Sequence, residues 1–151
     1  HPNNLFVANF VGSPPINVLH GNIFAEQGIW RVRTSDMVFS LQRNPEDDVQ
    51  IKDGQNVVLA VRSEDIVLDD PSASFAMTIY SSLPTGSDTF VRLTRGDLAM
   101  MAKLYESDSL PVDSQVSVGF RPERVLLFDE DTGQRISLGS SLVGFTEATA
   151  S

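Results

Sequence analysis

The sequence predicts an all-β protein, a sandwich or barrel of two similar units, preceded by a short N-terminal helix. Beyond Pro15, short segments alternate apolar and polar residues with a period of two, which is the pattern of strands with one buried face. Gly, Pro, Asp and Asn residues separate these segments, as turns between strands require. A pattern of apolar run, Arg-x-Glu and second apolar run also occurs twice, 59 residues apart, at 57–68 and 116–127.

The helix is predicted from the first residues of the chain. Asn3 or Asn4 is a suitable N-cap, and Phe6 and Phe10 lie one turn apart on one side. The segment 12–15, Gly-Ser-Pro-Pro, ends it. A helix of this length is not stable alone, so we expect it to pack on a neighbouring surface.

The strands follow in order, and in each of them the inward positions are the larger apolar residues. The inward sets are Trp30 and Val32; Met37, Phe39 and Leu41; Phe75, Met77 and Ile79; and Val116, Val118 and Phe120. The segment 94–97 predicts a hairpin turn between 90–93 and 98–103. From Ser137 onward the chain is rich in small residues, and we expect its end, 147–151, to be weakly held.

Composition excludes several classes of function. The chain has 151 residues, 41% hydrophobic and 21% charged, with no cysteine and no apolar run approaching a membrane span. Disulfides and thiolate chemistry are therefore excluded. The net charge is −9, and Lys52 and Lys103 are the only lysines, so binding to nucleic acid or to an anionic membrane is disfavoured.

The sequence lacks the common motifs of nucleotide-binding and hydrolytic sites. The sequence has no G-x-x-x-x-G-K-[ST], no G-x-G-x-x-G and no G-x-S-x-G. It has two histidines, His1 and His20, too few for a histidine metal cluster, and His20 is interpreted as a strand residue. The acidic groups at 47–48, 69–70 and 129–131 are interpreted as solvated loop charges, with a weak cation site at 129–131 left open.

The repeated Arg-x-Glu elements allow two interpretations. Arg62 with Glu64, and Arg121 with Glu123, each follow a predicted strand, and Pro122 favours a bend in the second copy. They are either structural corners or duplicated sites. Duplicated catalytic sites would bring further polar residues with them, so the structural corner is favoured.

Several stretches resemble the ATP-binding subunits of maltose-type ABC importers. Residues 4–17, NLFVANFVGSPPIN, resemble the family's N-L-F-V-A-x-F-[IV]-G-S-P-P-M-N, and 61–66 resembles its [IV]-R-P-E-x-[IV], with Ala60 for a glycine and Ser63 for the proline. Gly86, Ser87 and Asp88 match a G-[SA]-[DE]-T element, and 120–129 matches F-x-P-E-x-x-x-x-F-D. The branch that the sequence resembles is the carbohydrate and glycerol-phosphate group.

The resemblance implies a tandem OB-fold-like regulatory domain, the transport-associated OB (TOBE) domain. It assigns 1–15 to the end of a nucleotide-binding domain, 16–136 to the tandem OB-like domain and 137–151 to a C-terminal tail. It implies a non-catalytic fragment without cofactors, with ATP and Mg²⁺ bound elsewhere in the parent protein. Implied partners are a second copy, permease subunits and a regulatory protein, at the cytoplasmic face of the plasma membrane.

Two functional hypotheses follow. In the first, the chain is a regulatory and dimerisation module, for which Trp30 and the Phe75/Met77 face are candidate apolar anchors, although a barrel core claims the same residues. In the second, it senses a sugar or an oxyanion, with Gly86, Ser87 and Asp88, together with Trp30, as candidate surface.

Overall fold

The chain folds into two small antiparallel β-barrels that share one core. The computed structural model describes residues 16–41, 51–71, 73, 75–105, 110–136 and 142–147. Its strands are β1 (Ile16–Glu26), β2 (Ile29–Thr34), β3 (Met37–Leu41), β4 (Asn56–Arg62), β5 (Ile66–Leu68), β6 (Ala76–Thr85), β7 (Asp88–Arg95), β8 (Leu98–Leu104), β9 (Gln115–Phe120), β10 (Leu126–Asp129), β11 (Arg135–Ile136) and β12 (Leu142–Glu147). Single-turn 3₁₀ helices lie at Ser63–Asp65 and Pro122–Arg124.

The two sheets repeat one strand order. One contains β10-β4-β1-β2-β3, with β11 and β12 added at its ends, and the other contains β5-β9-β6-β7-β8. Five antiparallel strands in this order form each OB-like unit. The all-β, tandem OB-like prediction is therefore confirmed, while the predicted N-terminal helix lies outside the described residues.

In each unit, one strand comes from the sequence repeat that forms the rest of the other unit. β5 leaves the first unit to pair with β9, and β10 leaves the second unit to pair with β4. The registers match: Val67 faces Gly119, and Leu126 faces Ala60, so one pair becomes the other under the 59-residue offset of the repeat. The chain is thus a pseudo-two-fold pair of barrels with exchanged strands.

The repeat extends into the loops that precede β4 and β9. Gly54 donates its backbone N–H to the carbonyl of Ile23 on β1 at 2.7 Å, and Asp113 donates to Ile79 on β6 at 2.8 Å. Gly54 and Asp113 both have positive φ, 89° and 72°. The same loop therefore anchors the same strand position in both units, although their residues differ.

One apolar cluster runs through both barrels and contains the inward residues predicted from the alternation. Its fully buried members include Met37, Phe39, Phe75, Met77 and Leu93. β4 is buried on both faces, because Val58 and Ala60 pack with Phe128 in a second, small cluster. Burial of this continuous apolar area is the main stabilising contribution to the fold.

The hairpin turns also follow the prediction. β7 and β8 are joined by Gly96 and Asp97, with Gly96 at φ +59°, a conformation that glycine adopts without steric cost. Residues 142–147, which the sequence analysis places in a C-terminal tail, form β12 against β3. Among the described residues, no helix is long and apolar enough to cross a membrane.

Candidate functional site

The two Arg-x-Glu elements are the points at which the exchanged strands leave their barrels. Arg62 is extended, with φ −69° and ψ 148°, and the chain turns through one 3₁₀ turn before Ile66 resumes the extended conformation. Pro122 begins the equivalent turn after β9. The structural-corner interpretation therefore explains why the element occurs twice.

The corners contact each other directly. Arg121 donates its backbone N–H to the carbonyl of Asp65 at 3.1 Å. The Arg124 guanidinium lies 3.4 Å from Asp65, measured from Nε to Oδ1. The Asp65 side chain is 5% exposed and that of Arg124 is 57% exposed, so this pair is a nearly buried carboxylate with a cation at the surface. Asp65 and Arg124 occupy equivalent positions of the repeat, 59 residues apart.

The contact leaves a shallow groove of about 290 Å³ between the corners, which we call the corner groove. Its lining residues are Glu64, Asp65, Tyr105, Arg121, Glu123 and Arg124. The fold thus brings together Glu64, Arg121 and Glu123, three of the residues singled out in the sequence. Arg62 is half-buried beside the groove without lining it.

Sequence reasoning missed the other three lining residues. Asp65 and Arg124 differ in charge at one repeat position, and that difference was the available signal for an ion pair at the pseudo-two-fold axis. Tyr105 follows β8 and is 62% exposed, and no pattern in the sequence placed it near the corners.

The Gly86–Asp88 element lies at the tip of the β6–β7 hairpin. Gly86 has φ +76° and open space around it, so the turn geometry accounts for the glycine. Asp88 lies 3.6 Å from the Lys103 ammonium, measured from Oδ2 to Nζ. Ser87 is exposed at the tip.

The candidate apolar anchors lie in the core. Trp30 is 5% exposed, and Phe75 and Met77 are each 1% exposed. Their placement is that of barrel residues. Large apolar side chains that are exposed in the described part of the chain are instead Ile29, Tyr80, Leu83, Tyr105 and Val112.

The acidic stretch after β10 builds a turn. Asp129 accepts hydrogen bonds from Gln55 Nε2 at 2.8 Å and from the backbone N–H groups of Asp131 and Thr132. Partial desolvation raises the pKa of Asp129, but these hydrogen bonds outweigh it and hold that pKa below its usual value. Within the described ranges, no group of three or more His, Asp or Glu side chains is arranged to hold a metal.

His20 lies on β1, as predicted, and its Nδ1 is 2.9 Å from Oε1 of Glu130. Both side chains are largely exposed, so the pair contributes little to stability. This arrangement is that of a surface strand histidine.

Asn17 links the two units. Its Nδ2 donates to the carbonyl of Met101 on β8 at 2.9 Å and to that of Val61 on β4 at 3.2 Å, while its Oδ1 accepts from the Met101 N–H at 2.7 Å. The side-chain amide therefore pairs with β8 as a strand backbone would. In the sequence, Asn17 is singled out only as the last residue of a family motif.

Comparison with known proteins gives this architecture a family. Residues 59–128, which span both corners and all six residues of the corner groove, match the TOBE domain family. This part of the chain is similar to TOBE domains. The resemblance drawn from the sequence motifs is therefore confirmed. The TOBE domain is a non-catalytic domain of ABC importer ATPases.

Relatives of the whole chain are ATP-binding subunits of importers. The chain is 25% identical over 134 residues to an sn-glycerol-3-phosphate import ATP-binding protein of Burkholderia ambifaria. It is 25% identical over 139 residues to a sulfoquinovosyl glycerol transport ATP-binding protein of Agrobacterium fabrum. Each alignment covers 89% of this chain and 37% of the relative, so the chain spans little more than a third of their length.

A solved structure shares this fold. The cytoplasmic molybdate-binding protein ModG, with molybdate bound, superposes with a TM-score of 0.58 at 17% identity, covering 74% of this chain and 94% of that one. At this identity the likeness establishes the fold alone.

Proposed function

We propose that this chain is the C-terminal regulatory and dimerisation region of an ABC importer ATP-binding subunit for carbohydrates or glycerol-phosphate-like solutes. The observation that carries the proposal is the TOBE domain within an alignment to import ATP-binding proteins that covers 89% of the chain. ATP and Mg²⁺ belong to the nucleotide-binding domain of such a subunit. Permease subunits would hold it at the cytoplasmic face of the membrane.

The exchanged strands support a mechanical role. Because β5 and β10 each complete the other unit, the two barrels form one body that transmits a displacement as a whole. Such a body is suited to brace two ATPase subunits across a two-fold axis while their nucleotide sites open and close. A regulatory protein is a further partner for the same body.

Sedimentation of the purified chain over a wide concentration range tests the dimer. We expect reversible self-association, since an isologous interface needs only one self-complementary surface. A strictly monomeric mass at all concentrations would remove dimerisation from the proposal. Detectable ATP hydrolysis by the purified chain would contradict its non-catalytic part.

Ligand sensing is the second candidate, and the corner groove is the observation that favours it. A ligand that binds only the folded state must raise the melting temperature. Thermal-shift measurements with sugars, polyol phosphates and oxyanions therefore test it. The absence of a shift at millimolar ligand would eliminate it.

A further inference from the structure

The corner groove holds a buried carboxylate with an unused acceptor. Asp65 lines the groove and is 4% exposed. Its Oδ1 has the 3.4 Å contact with Arg124, whereas its Oδ2 is buried without a hydrogen-bond partner. The hydroxyl of the neighbouring Ser63, which is fully buried, also has no partner.

Such groups are costly and rare in folded proteins. A buried acceptor without a donor costs about 1–3 kcal/mol, and most buried polar atoms are satisfied. An unpartnered carboxylate oxygen on a residue that lines a groove indicates that a donor is supplied from outside the chain. Asp65 Oδ2 is buried, and the Arg124 side chain that contacts the same carboxylate is 57% exposed. A ligand in the groove would reach Oδ2 by displacing that side chain.

The charged residues that line the corner groove indicate which class of ligand would supply that donor. Three carboxylates, of Glu64, Asp65 and Glu123, face two guanidinium groups, and the whole chain carries a net charge of −9. An oxyanion would meet more negative than positive charge and would bring no donor to Asp65. An ammonium ion would bring a donor but would meet both guanidinium groups.

Hydroxyl groups fit both sets of partners, because each donates one hydrogen bond and accepts others. Carboxylates would accept from a ligand hydroxyl, and Arg121 and Arg124 would donate to its oxygens. Tyr105 is 62% exposed at the rim, and the Lys103 ammonium lies over its ring, 5.2 Å from the centroid. The opposite face of the ring would contact the C–H surface of a sugar.

We propose that the corner groove binds a neutral polyhydroxylated molecule, a sugar or polyol, with Asp65 as the buried acceptor. Because the groove is formed by both corners, the ligand would stabilise the crossing of β5 and β10 between the units. This inference rests on the ligand-sensing function proposed above and adds to it the class of ligand and the buried acceptor. The bracing role stands whether or not the groove is filled.

Amide NMR titration with maltose, glucose and glycerol tests the site. We expect saturable shifts at 63–65 and 122–124 with millimolar affinity. Tyr105→Ala and Arg121→Ala, both at exposed positions, should each weaken binding about tenfold, which corresponds to about 1.4 kcal/mol. Arg92→Ala, at an exposed position on β7 outside the groove, should leave affinity unchanged.

Three results would overturn the proposal. One is the absence of saturation with every polyol. Another is a response of the corners to sulfate, molybdate or ethylammonium but to no polyol. The third is polyol-induced shifts that cluster elsewhere, such as the 86–88 hairpin tip, or that persist in Tyr105→Ala and Arg121→Ala.

Discussion

The side-chain amide of Asn17 pairs with the edge strand β8 where the two barrels meet, in the place of a neighbouring strand. Its amide satisfies both the N–H and the C=O of Met101 at the edge of β8, and it is 8% exposed. An asparagine is suited to this because one side of its amide donates and the other accepts. A leucine of similar size would leave two backbone groups without partners.

Asn17→Ala should lower the free energy of unfolding by about 1–3 kcal/mol, because two partly buried backbone groups of Met101 lose their partners. Urea denaturation measures this. Asn22→Ala is the matched control: Asn22 bonds Gly54 and Asn56 near solvent, and its loss should cost about 1 kcal/mol or less. Equal losses in the two variants would contradict the role of Asn17.

Asp129 gives the chain an acid-dependent contribution to stability. Its folded-state pKa is lowered, so the contribution is present above the unfolded pKa of about 3.9 and is lost as pH falls through the folded value. Gln55→Ala removes the 2.8 Å hydrogen bond and should raise the pKa of Asp129 in a carboxyl ¹³C titration. The stability lost between neutral and acid pH should then shrink.

Gln134→Ala serves as the control for that titration. The backbone N–H of Asp129 donates to the backbone carbonyl of Gln134 at 2.9 Å, and the substitution keeps that carbonyl. The pKa of Asp129 should therefore not move. A rise in both variants would mean that the turn as a whole, and not the Gln55 amide, holds the carboxylate in its charged form.

At the scale of elements, the corner decides where a strand goes. The apolar runs on either side of each Arg-x-Glu element predict β4, β5, β9 and β10 as strands. They do not say which sheet each one joins, since a strand that crosses to the other unit buries the same face. The repeat with its 59-residue offset predicted the two corners, but only the structure shows that they contact each other.

Gly119 occupies a position with no space for a Cβ, although the equivalent position of the other repeat is an alanine. Ala60 occupies the equivalent position on β4, but a Cβ at 119 would collide with the carboxylate of Asp70. We expect Gly119→Ala to cost about 1–3 kcal/mol through overpacking, measured by thermal or urea unfolding. In an Asp70→Ala background the cost should fall, and undiminished cost there would exclude this collision as the cause.

Ala60→Gly tests the same point from the other repeat. If the corner itself required glycine, this variant would be neutral or stabilising. We expect it to be destabilised by about 0.5–1 kcal/mol, because glycine adds chain entropy to the unfolded state.

At the scale of the whole molecule, strand exchange makes the two barrels one cooperative unit. The single apolar cluster draws its members from both units. Trp30, the one tryptophan, lies in the first unit and reports on it by fluorescence. Leu93→Ala, fully buried on β7 of the second unit, should cost about 2–5 kcal/mol.

In Leu93→Ala, the free energy of unfolding measured by Trp30 fluorescence should fall by as much as that measured by circular dichroism. The two unfolding transitions should coincide, as two-state unfolding requires. Arg92→Ala, on the exposed face of the same strand, should shift neither by more than about 0.5 kcal/mol. A Trp30 transition that stays in place while the dichroism splits into two steps would show that the units unfold separately.

The sequence alone determined the all-β class, the inward faces of the strands, a hairpin turn within 94–97 and the doubling of the unit, because these rest on local periodicity and turn chemistry. Only the tertiary structure decided that β5 and β10 change barrels, that Asn17 joins β8, and that Asp65 and Arg124 meet beside Tyr105. The Asp65–Arg124 contact joins residues 59 positions apart, and the Asn17–Met101 contact joins residues 84 positions apart. Local pattern fixes which face of a strand is buried, but the partner is chosen by the packing of the whole core.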